Sequence, residues 1–362
     1  MDSQAGQAFS QSYAEARSKF LAAADAADLD VQSHVHPLLG QNGEQLAMDV
    51  VRDGAVHAKA LLIISSACHG VEGFCGSGVQ IALLQDAAWR AAAQAAGVAV
   101  LHIHALNPYG FSWWRRVTQE NVDLNRNFHD FSQELPHNTG YAELAGALVP
   151  SHWPPGAQDE AVLQAYAEKH GAFGLQTAIS GGQYDYPEGL FYGGRNPTWS
   201  HVTLRHVLQE HGRLADRLGW MDLHTGLGPS GHGELIFTGK NDPEAVARAC
   251  AWWGPEVTST FDGSSSSAPL TGLMWTAVID DCPQAEFTGI AIEYGTRPIQ
   301  QVVDALRCDQ WIENHPELDE TTRRRLKRQV RDAFYIDTPE WKRQILDQAV
   351  AAAYKAINGL GA

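Results

Sequence analysis

The chain has 362 residues, of which 44% are hydrophobic and 19% are charged. This composition is typical of a folded protein and excludes an intrinsically disordered one. A formal net charge of −16 argues against nucleic acid and anionic membranes as partners, because an acidic surface repels both. The length permits one large domain or two average ones. No linker divides the sequence, so we predict a single domain over residues 1–362.

The sequence also indicates a cellular compartment. The N-terminal segment MDSQAGQAFSQS lacks the basic and apolar regions of a secretory signal. The longest strongly apolar run, residues 60–67, is far too short to cross a bilayer. The five cysteines are odd in number and include no CxxC pair, which is typical of reduced thiols rather than disulfides or a cysteine zinc site. We therefore expect a cytoplasmic protein.

Hydrophobic patterns predict strands that alternate with helices. Helical spacing of apolar residues, or a helix-starting Thr-Pro-Glu, predicts helices at residues 9–25, 77–96, 321–334 and from 338 to about 358. Apolar runs predict strands at residues 60–67, 98–105, 220–223, 234–238 and 289–294. This alternation predicts an α/β fold with a mixed, mostly parallel central sheet, flanked by helices on both faces.

Two segments have no regular pattern. Residues 129–160 are rich in His, Pro and Gly, and residues 262–272 read DGSSSSAPLTG. Long loops in compact domains often carry function, so we expect both at the rim of a site. In an α/β sheet that site lies at the C-terminal ends of neighbouring strands.

The strand ends carry residues suited to metal chemistry. The first strand leads into SACHGVEGFCG, where His69 and Glu72 are three residues apart and can converge on one ion across a tight turn. The strand in GWMDLHTG ends in His224. Each feature alone is weak, because His224 also fits a buried histidine bonded to Asp222. Together, two imidazoles and one carboxylate make a three-ligand site with an open position for water, as zinc catalysis requires.

Further polar residues stand beside this set. Glu293 follows the apolar strand GIAIE, where partial desolvation raises proton affinity as a general base needs, although a salt-bridged carboxylate is the alternative. Arg115, Arg116 and Arg126 flank Asn125 in an otherwise acidic chain. Guanidinium groups suit carboxylate recognition and oxyanion stabilisation.

The ordered motifs HxxE, NPxG, WRR, DLNRNF, DLHTG and AIEYGT resemble those of the zinc carboxypeptidase A superfamily. The stretches FSQSYAEARSKF, HGVEGFCGSGVQ and GQYDYPEGLFYGGRNPTWS resemble a bacterial branch known only as a domain of unknown function. The resemblance extends roughly from Phe9 to Gly295 and implies a single metallocarboxypeptidase-like catalytic domain with one Zn²⁺ ion. It assigns His69, Glu72 and His224 as the zinc ligands.

The resemblance also implies the remaining roles. Glu293 matches the glutamate that takes a proton from water and delivers it to the leaving amine. Asn125 and Arg126 match the pair that binds the terminal carboxylate of the substrate. The oxyanion-stabilising arginine is Arg116 or Arg115, and the separation from Arg126 favours Arg116. The pocket tyrosine of the digestive enzymes is absent from residues 262–272; Tyr192 is a candidate replacement, with a packed aromatic as the alternative.

The predicted function is zinc-dependent hydrolysis of an amide bond next to a carboxylate-bearing residue, as in carboxypeptidases. The substrate is a small peptide or an N-acyl amino acid. Because DLNR also occurs in the aspartoacylase and succinylglutamate desuccinylase branch, an N-acyl amino acid deacylase remains the alternative. A second alternative is a non-catalytic zinc protein that binds carboxylates, although such a protein needs no base at Glu293.

Overall fold

The sheet is built around two strands, at residues 60–66 and 98–104, that bury both of their faces. The computed structural model describes residues 6–362, and within them seven strands form one sheet. The strands are β1 (Val31–Leu39), β2 (Gln45–Asp53), β3 (Ala60–Ser66), β4 (Val98–His104), β5 (Arg217–Ser230), β6 (Gly233–Thr238) and β7 (Glu286–Gly295). Their spatial order is β1-β2-β4-β3-β5-β7-β6, with parallel pairing from β4 through β7 and antiparallel pairing elsewhere. The predicted mixed, mostly parallel sheet is confirmed.

Helices connect and cover these strands. They are α1 (Tyr13–Ala26), α2 (Gly73–Gln85), α3 (Ala87–Ala95), α4 (Pro108–Ser112), α5 (Thr139–Leu148), α6 (Ala157–Ser180), α7 (Trp199–His211), α8 (Pro243–Trp253), α9 (Thr276–Asp281), α10 (Ile299–Asn314), α11 (Glu320–Phe334) and α12 (Pro339–Gly361). Of the described helices, none combines the length and the apolar composition that crossing a bilayer would require.

The single helix predicted at residues 77–96 is in fact two helices. The Asp86 side chain accepts hydrogen bonds from the backbone N–H groups of Ala88 and Trp89, and so caps the N-terminus of α3. A capping aspartate starts a new helix because it satisfies N–H groups that lack a partner in the first turn. The helix break therefore lies at Asp86.

The apolar run of β3 separates two layers of the core. Leu62 and Ile64 pack into a cluster with residues of α1, α2, α3, α8 and α12. Leu61 and Ile63 point to the opposite face and pack against α7 and α9. Because successive side chains of a strand alternate between faces, a strand covered on both sides is apolar throughout.

A third apolar cluster lies beside the turn that follows β3. It joins Val71 to buried residues of α5, α6, α10 and α11. Helix α5 and the start of α6 lie inside residues 129–160, so the prediction of an irregular segment there is wrong for residues 139–148 and 157–160. Residues 262–272 contain neither helix nor strand, as predicted. The third cluster and this loop enclose the space above the ends of β3, β5 and β7.

Candidate metal centre and active site

The candidate site forms where the parallel pairing between β3 and β5 ends. His69 follows β3, His224 lies in β5 directly after Leu223, the last residue that pairs with β3, and Glu293 is two residues before the end of β7. His224 and Glu293 are direct partners in the parallel register of these two strands. The sheet therefore brings together residues that are distant in the chain.

A short 3₁₀ turn at Gly70–Glu72 carries the HxxE motif. A Cβ atom added at Gly70 would lie 2.1 Å from the carbonyl carbon of Gly110, so only glycine fits this position. The Gly70 N–H donates to the Arg116 carbonyl at 3.0 Å, and the Val71 N–H donates to the Arg115 carbonyl at 2.8 Å. These backbone hydrogen bonds fix the turn against the two arginines.

The side chains of His69, Glu72 and His224 converge. One potential ligand atom of each lies within 4.8 Å of the others, and all three side chains are buried. Glu72 Oε2 accepts a hydrogen bond from the Thr225 N–H at 3.0 Å and lies 3.3 Å from His224 Nδ1. The carboxylate of Glu72 is therefore held between the turn and β5.

A carboxylate orients the His224 ring. Nε2 of His224 donates to Asp222 at 2.6 Å, and Asp222 also accepts a 2.5 Å hydrogen bond from the Ser65 hydroxyl. Burial alone would lower the pKa of His224, but Asp222 and Glu72 outweigh burial and raise it well above its ordinary value. With Nε2 engaged by Asp222, Nδ1 is the nitrogen that faces Glu72, as in a carboxylate–histidine–metal arrangement.

His69 is held as a neutral imidazole. Burial and the charge of Arg116 lower the pKa of His69 well below its ordinary value. Its Nε2 accepts from Arg116 Nη2 at 2.7 Å, and its Nδ1 lies 3.5 Å from Asp123. Burial would raise the pKa of Asp123, but Arg116 lowers it well below its ordinary value, so this carboxylate is ionised. Neutral imidazole is the form that binds a metal.

The donor set fits a divalent metal. The guanidinium of Arg116 lies 3.2 Å from Glu72 Oε1 and also contacts His69, so the acceptor atoms of two candidate ligands already face a cation. Two imidazoles and a carboxylate, with room for a fourth ligand, are a combination that catalytic zinc prefers.

Cys68, Asp222 and His224 form a second group of potential ligand atoms. Burial raises the pKa of the Cys68 thiol well above its ordinary value, which disfavours the thiolate that a metal requires.

Glu293 stands beside this group and lines the same cavity. It is half-buried, and its Oε1 accepts a hydrogen bond from the Leu227 N–H at 3.0 Å. Burial and the nearby negative charge of Glu72 raise the pKa of Glu293 to about 7. A carboxylate with this proton affinity can accept and return a proton near neutral pH.

Asn125 and Arg126 also line the cavity. The Oδ1 atom of Asn125 accepts from the Met274 N–H at 2.9 Å, which leaves its Nδ2 group to donate to a ligand. Arg126 is held by the Ser180 carbonyl, at 3.1 Å from Nε and 2.6 Å from Nη2. The Phe191 ring lies against the guanidinium groups of both Arg116 and Arg126, with its centroid 5.1 and 5.7 Å away. The two cations therefore share one aromatic support.

Arg115 and Tyr192 lie away from the cavity. Arg115 is buried and binds Asp309 at 3.3 Å and Asn121 at 2.8 Å. Tyr192 is buried too, and its carbonyl accepts from the Asp123 N–H at 2.7 Å. Neither residue is among those that line the cavity. The predicted substrate contacts of Arg115 and Tyr192 therefore disagree with the geometry, because each side chain is enclosed by other parts of the protein.

Three side chains of the site were not predicted as functional: Asp123, Asp222 and Phe191. Asp222 had a usable signal, because alternate residues of a strand share a face and Asp222 precedes His224 by two. Asp123 lies in the DLNRNF motif, yet nothing in its spacing indicates that it binds Arg116 at 3.0 Å. Phe191 is one residue from Tyr192, and the loop sequence GLFYGG gives no pattern that shows which aromatic faces the cavity.

The cavity above the candidate metal centre has a volume of about 870 Å³. Its lower wall carries His69, Glu72, His224 and Glu293. Its sides come from α6, α10, β6 and residues 266–275. The irregular segment at 262–272 therefore contributes to the site, as its composition led us to expect.

Comparison with known proteins adds a family and a fold. The profile of the family described as "Protein of unknown function (DUF2817)" matches residues 9–348. No curated protein matches the sequence. The structure of thrombin-activatable fibrinolysis inhibitor is similar over 97% of this chain and 77% of that one, with a TM-score of 0.53 and 11% identity.

Two further structures are more distant. The bovine inhibitor in complex with tick carboxypeptidase inhibitor matches over 98% of both chains, with a TM-score of 0.48 and 10% identity. A metallo-carboxypeptidase from Burkholderia cenocepacia matches over 96% of this chain and 68% of its own, with a TM-score of 0.46 and 10% identity. At these identities the likeness concerns the fold alone, which is carboxypeptidase-like as the sequence predicts.

Proposed function

The chain belongs to the DUF2817 family, and we propose that it is a metal-dependent hydrolase that cleaves an amide bond next to a free carboxylate. The single observation that carries the proposal is the convergence of His69, Glu72 and His224 within 4.8 Å. Glu293 on the adjacent strand and two arginines in the same cavity supply the other groups that amide hydrolysis needs.

In this proposal His69, Glu72 and His224 hold one Zn²⁺ ion. Bound zinc would supply Lewis acidity, which polarises a carbonyl and makes a water molecule more acidic. Asp222 keeps the His224 ring in place through the 2.6 Å hydrogen bond to Nε2. Glu293 takes the proton from the attacking water and then donates it to the leaving amine.

The two arginines have separate roles. Arg116 lies against Glu72 and His69, so its charge is close to the point where the oxyanion develops, and it stabilises that charge. Arg126 and the free Nδ2 group of Asn125 bind the substrate carboxylate through charge-assisted hydrogen bonds. Holding that carboxylate fixes the adjacent amide relative to the metal ligands.

A substrate panel tests the proposal. Purified protein is stripped with a chelator, reloaded with Zn²⁺ and incubated with short peptides and with N-acyl amino acids, each with a free or an amidated carboxyl group. We expect one zinc per chain, hydrolysis of the free-carboxylate substrates, and none in the stripped protein. Zinc-loaded protein that cleaves nothing in the panel would contradict the proposal and favour a carboxylate-binding protein. Cleavage of acyl amino acids alone would identify a deacylase.

A further inference from the structure

The cavity wall is more apolar than recognition of an amino acid requires. Of the Arg and Lys residues in the described chain, only Arg116 and Arg126 line it. Its one acidic side chain away from the metal centre, Glu160, is paired at 2.8 Å with the buried Arg307. The volume of about 870 Å³ lies near the upper end of the roughly 300–1,000 Å³ typical of ligand cavities. A large part of the substrate is therefore uncharged.

The apolar walls come mainly from two helices. Leu163, Leu175 and Ile179 of α6 line the cavity together with Val302 and Leu306 of α10. Leu163, Ile179, Val302 and Leu306 belong to the apolar cluster that also contains Val71, between the two metal-ligand positions of the HxxE turn. The walls therefore begin next to the candidate ligands and continue away from them.

These walls offer little to a polypeptide. The backbone groups of a helix already hydrogen-bond within the helix, so α6 and α10 have no row of N–H and C=O groups for an extended chain. Strand β6 also borders the cavity, but its outer edge is paired with Thr258. Two hydrogen bonds make that pairing, from the Phe237 N–H to the Thr258 carbonyl at 2.8 Å and from the Thr258 N–H to the Leu235 carbonyl at 2.9 Å. A hydrocarbon chain needs no such partners.

We infer that the substrate is an amino acid whose nitrogen carries a long apolar acyl chain, and that this chain lies between α6 and α10. The inference rests on the proposed amide hydrolysis and specifies its substrate class. Water adds across the amide C–N bond. The acyl carbon gains the hydroxyl and leaves as a fatty acid, and the nitrogen gains the proton and leaves as the amino acid. Arg126 and Asn125 bind the carboxylate of the amino acid.

Chain length provides the test. Each methylene group buried against the walls increases kcat/KM by up to about fourfold until the cavity is filled. The zinc-loaded protein is assayed below micellar concentrations with N-acylalanines of increasing chain length, from acetyl to hexadecanoyl, and with N-acetylated peptides that end in alanine. We expect kcat/KM to rise at least about tenfold from butanoyl to dodecanoyl, and the peptides to be the poorer substrates.

Two variants locate the acyl chain. Ala167→Trp fills the cavity from α6, and Val303→Trp fills it from α10, so either should lower kcat/KM for N-dodecanoylalanine far more than for N-acetylalanine and so reduce the gain with chain length. Ala165→Trp is the matched control, because Ala165 is exposed on α6 and does not line the cavity. Circular dichroism checks that each variant is folded.

The outcomes separate the two claims. A flat dependence on chain length, or better cleavage of peptides, would overturn the acyl-chain inference and leave the amide hydrolase in place. A chain-length gain that survives in both folded tryptophan variants would also overturn the inference. Failure of the zinc-loaded protein to cleave any amide would overturn the proposed function and the inference with it.

Discussion

Glu293 is the residue on which turnover depends in this account. Replacing Glu293 by Gln keeps the side-chain shape and an oxygen for the Leu227 N–H, but removes the basic carboxylate. Because Glu293 is not one of the three candidate ligands, zinc should stay bound while kcat falls by about 10²–10⁴-fold. Metal analysis and steady-state kinetics measure the two effects. A variant with zinc bound and wild-type kcat would remove Glu293 as the base.

The adjacent arginines allow a matched comparison. Arg116→Lys replaces the planar guanidinium that contacts Glu72 and His69 with a single ammonium group, so we expect kcat/KM to fall by about 10²–10³-fold. Arg115→Lys changes the neighbouring residue, which binds Asp309 and does not line the cavity. In that variant kcat/KM at a temperature well below unfolding should stay close to wild type. Equal losses in both variants would show that Arg116 has no special role.

Asp222 acts through His224 in the proposed centre. Asp222→Asn removes the negative charge that orients the ring at 2.6 Å from Nε2, so zinc affinity should fall by about 10–100-fold. Competition with a chromophoric chelator measures this affinity. Ser65→Ala is the matched control, because Ser65 donates a hydrogen bond to Asp222 and not to His224. Its effect on zinc affinity should therefore be smaller than that of Asp222→Asn. Unchanged affinity in Asp222→Asn would be incompatible with His224 as a ligand.

At the scale of single residues, the sequence predicted which candidate ligands converge better than it predicted the side chains around them. His69, Glu72 and His224 stand out because few other residue types bind zinc and each lies in or shortly after a buried apolar run of the sequence. The directions of neighbouring side chains were harder. Tyr192 and Phe191 are adjacent in an irregular loop, and only Phe191 of the two lines the cavity. Because no helix or strand period applies in this loop, the sequence could not show which of the two rings faces the cavity.

Strand β4 carries a titratable group in the core. His102 is fully buried between Val51 of β2 and Ile64 of β3, and within the described residues neither of its ring nitrogens has a hydrogen-bond partner. Burial lowers the pKa of His102 from 6.5 to about 4. Below pH 6.5 the unfolded chain binds a proton that the folded protein rejects, so stability is lost as the pH falls from 6.5 towards 4.

This titration predicts a change in the pH dependence of stability. Between pH 7 and pH 5 His102 alone should remove about 2 kcal/mol from the free energy of unfolding, and His102→Leu should remove that loss. Urea unfolding of the chelator-treated protein at both pH values measures it. His57→Leu, at an exposed position, is the matched control for the loss of a histidine. An identical pH dependence in wild type and His102→Leu would refute the assignment.

At the scale of elements, β3 and β4 were predictable, whereas β1 and the largely buried β2 were missed; β6, at the other edge of the sheet, was predicted at 234–238. The apolar runs of β3 and β4 are evident in the sequence because each strand is completely buried. Strand β1 reads VQSHVHPLL, pairs only with β2, and is largely exposed, so it has no continuous apolar run. Helix α6 was missed because it contains Gly171 with φ of 77°, which interrupts its periodicity.

At the scale of the whole molecule, topology unites the site. The parallel order β3-β5-β7 places the ends of three strands side by side, so residues far apart in the chain meet at one edge. The order of the motifs in the sequence implied that these residues come together. The position of α6 and α10 above them depends on helix packing, which the sequence pattern did not define. The cavity between them, and therefore the size of the substrate, could be read only from the structure.

Anomalous diffraction at the zinc absorption edge, from crystals of the zinc-loaded protein, tests the metal centre most directly. We predict one peak at about 2.0–2.2 Å from a nitrogen of His69, a carboxylate oxygen of Glu72 and a nitrogen of His224. With zinc in place, the Arg116 guanidinium should no longer bridge Glu72 and His69. A zinc-saturated crystal with no peak among these three side chains, or with its peak elsewhere, would contradict the account.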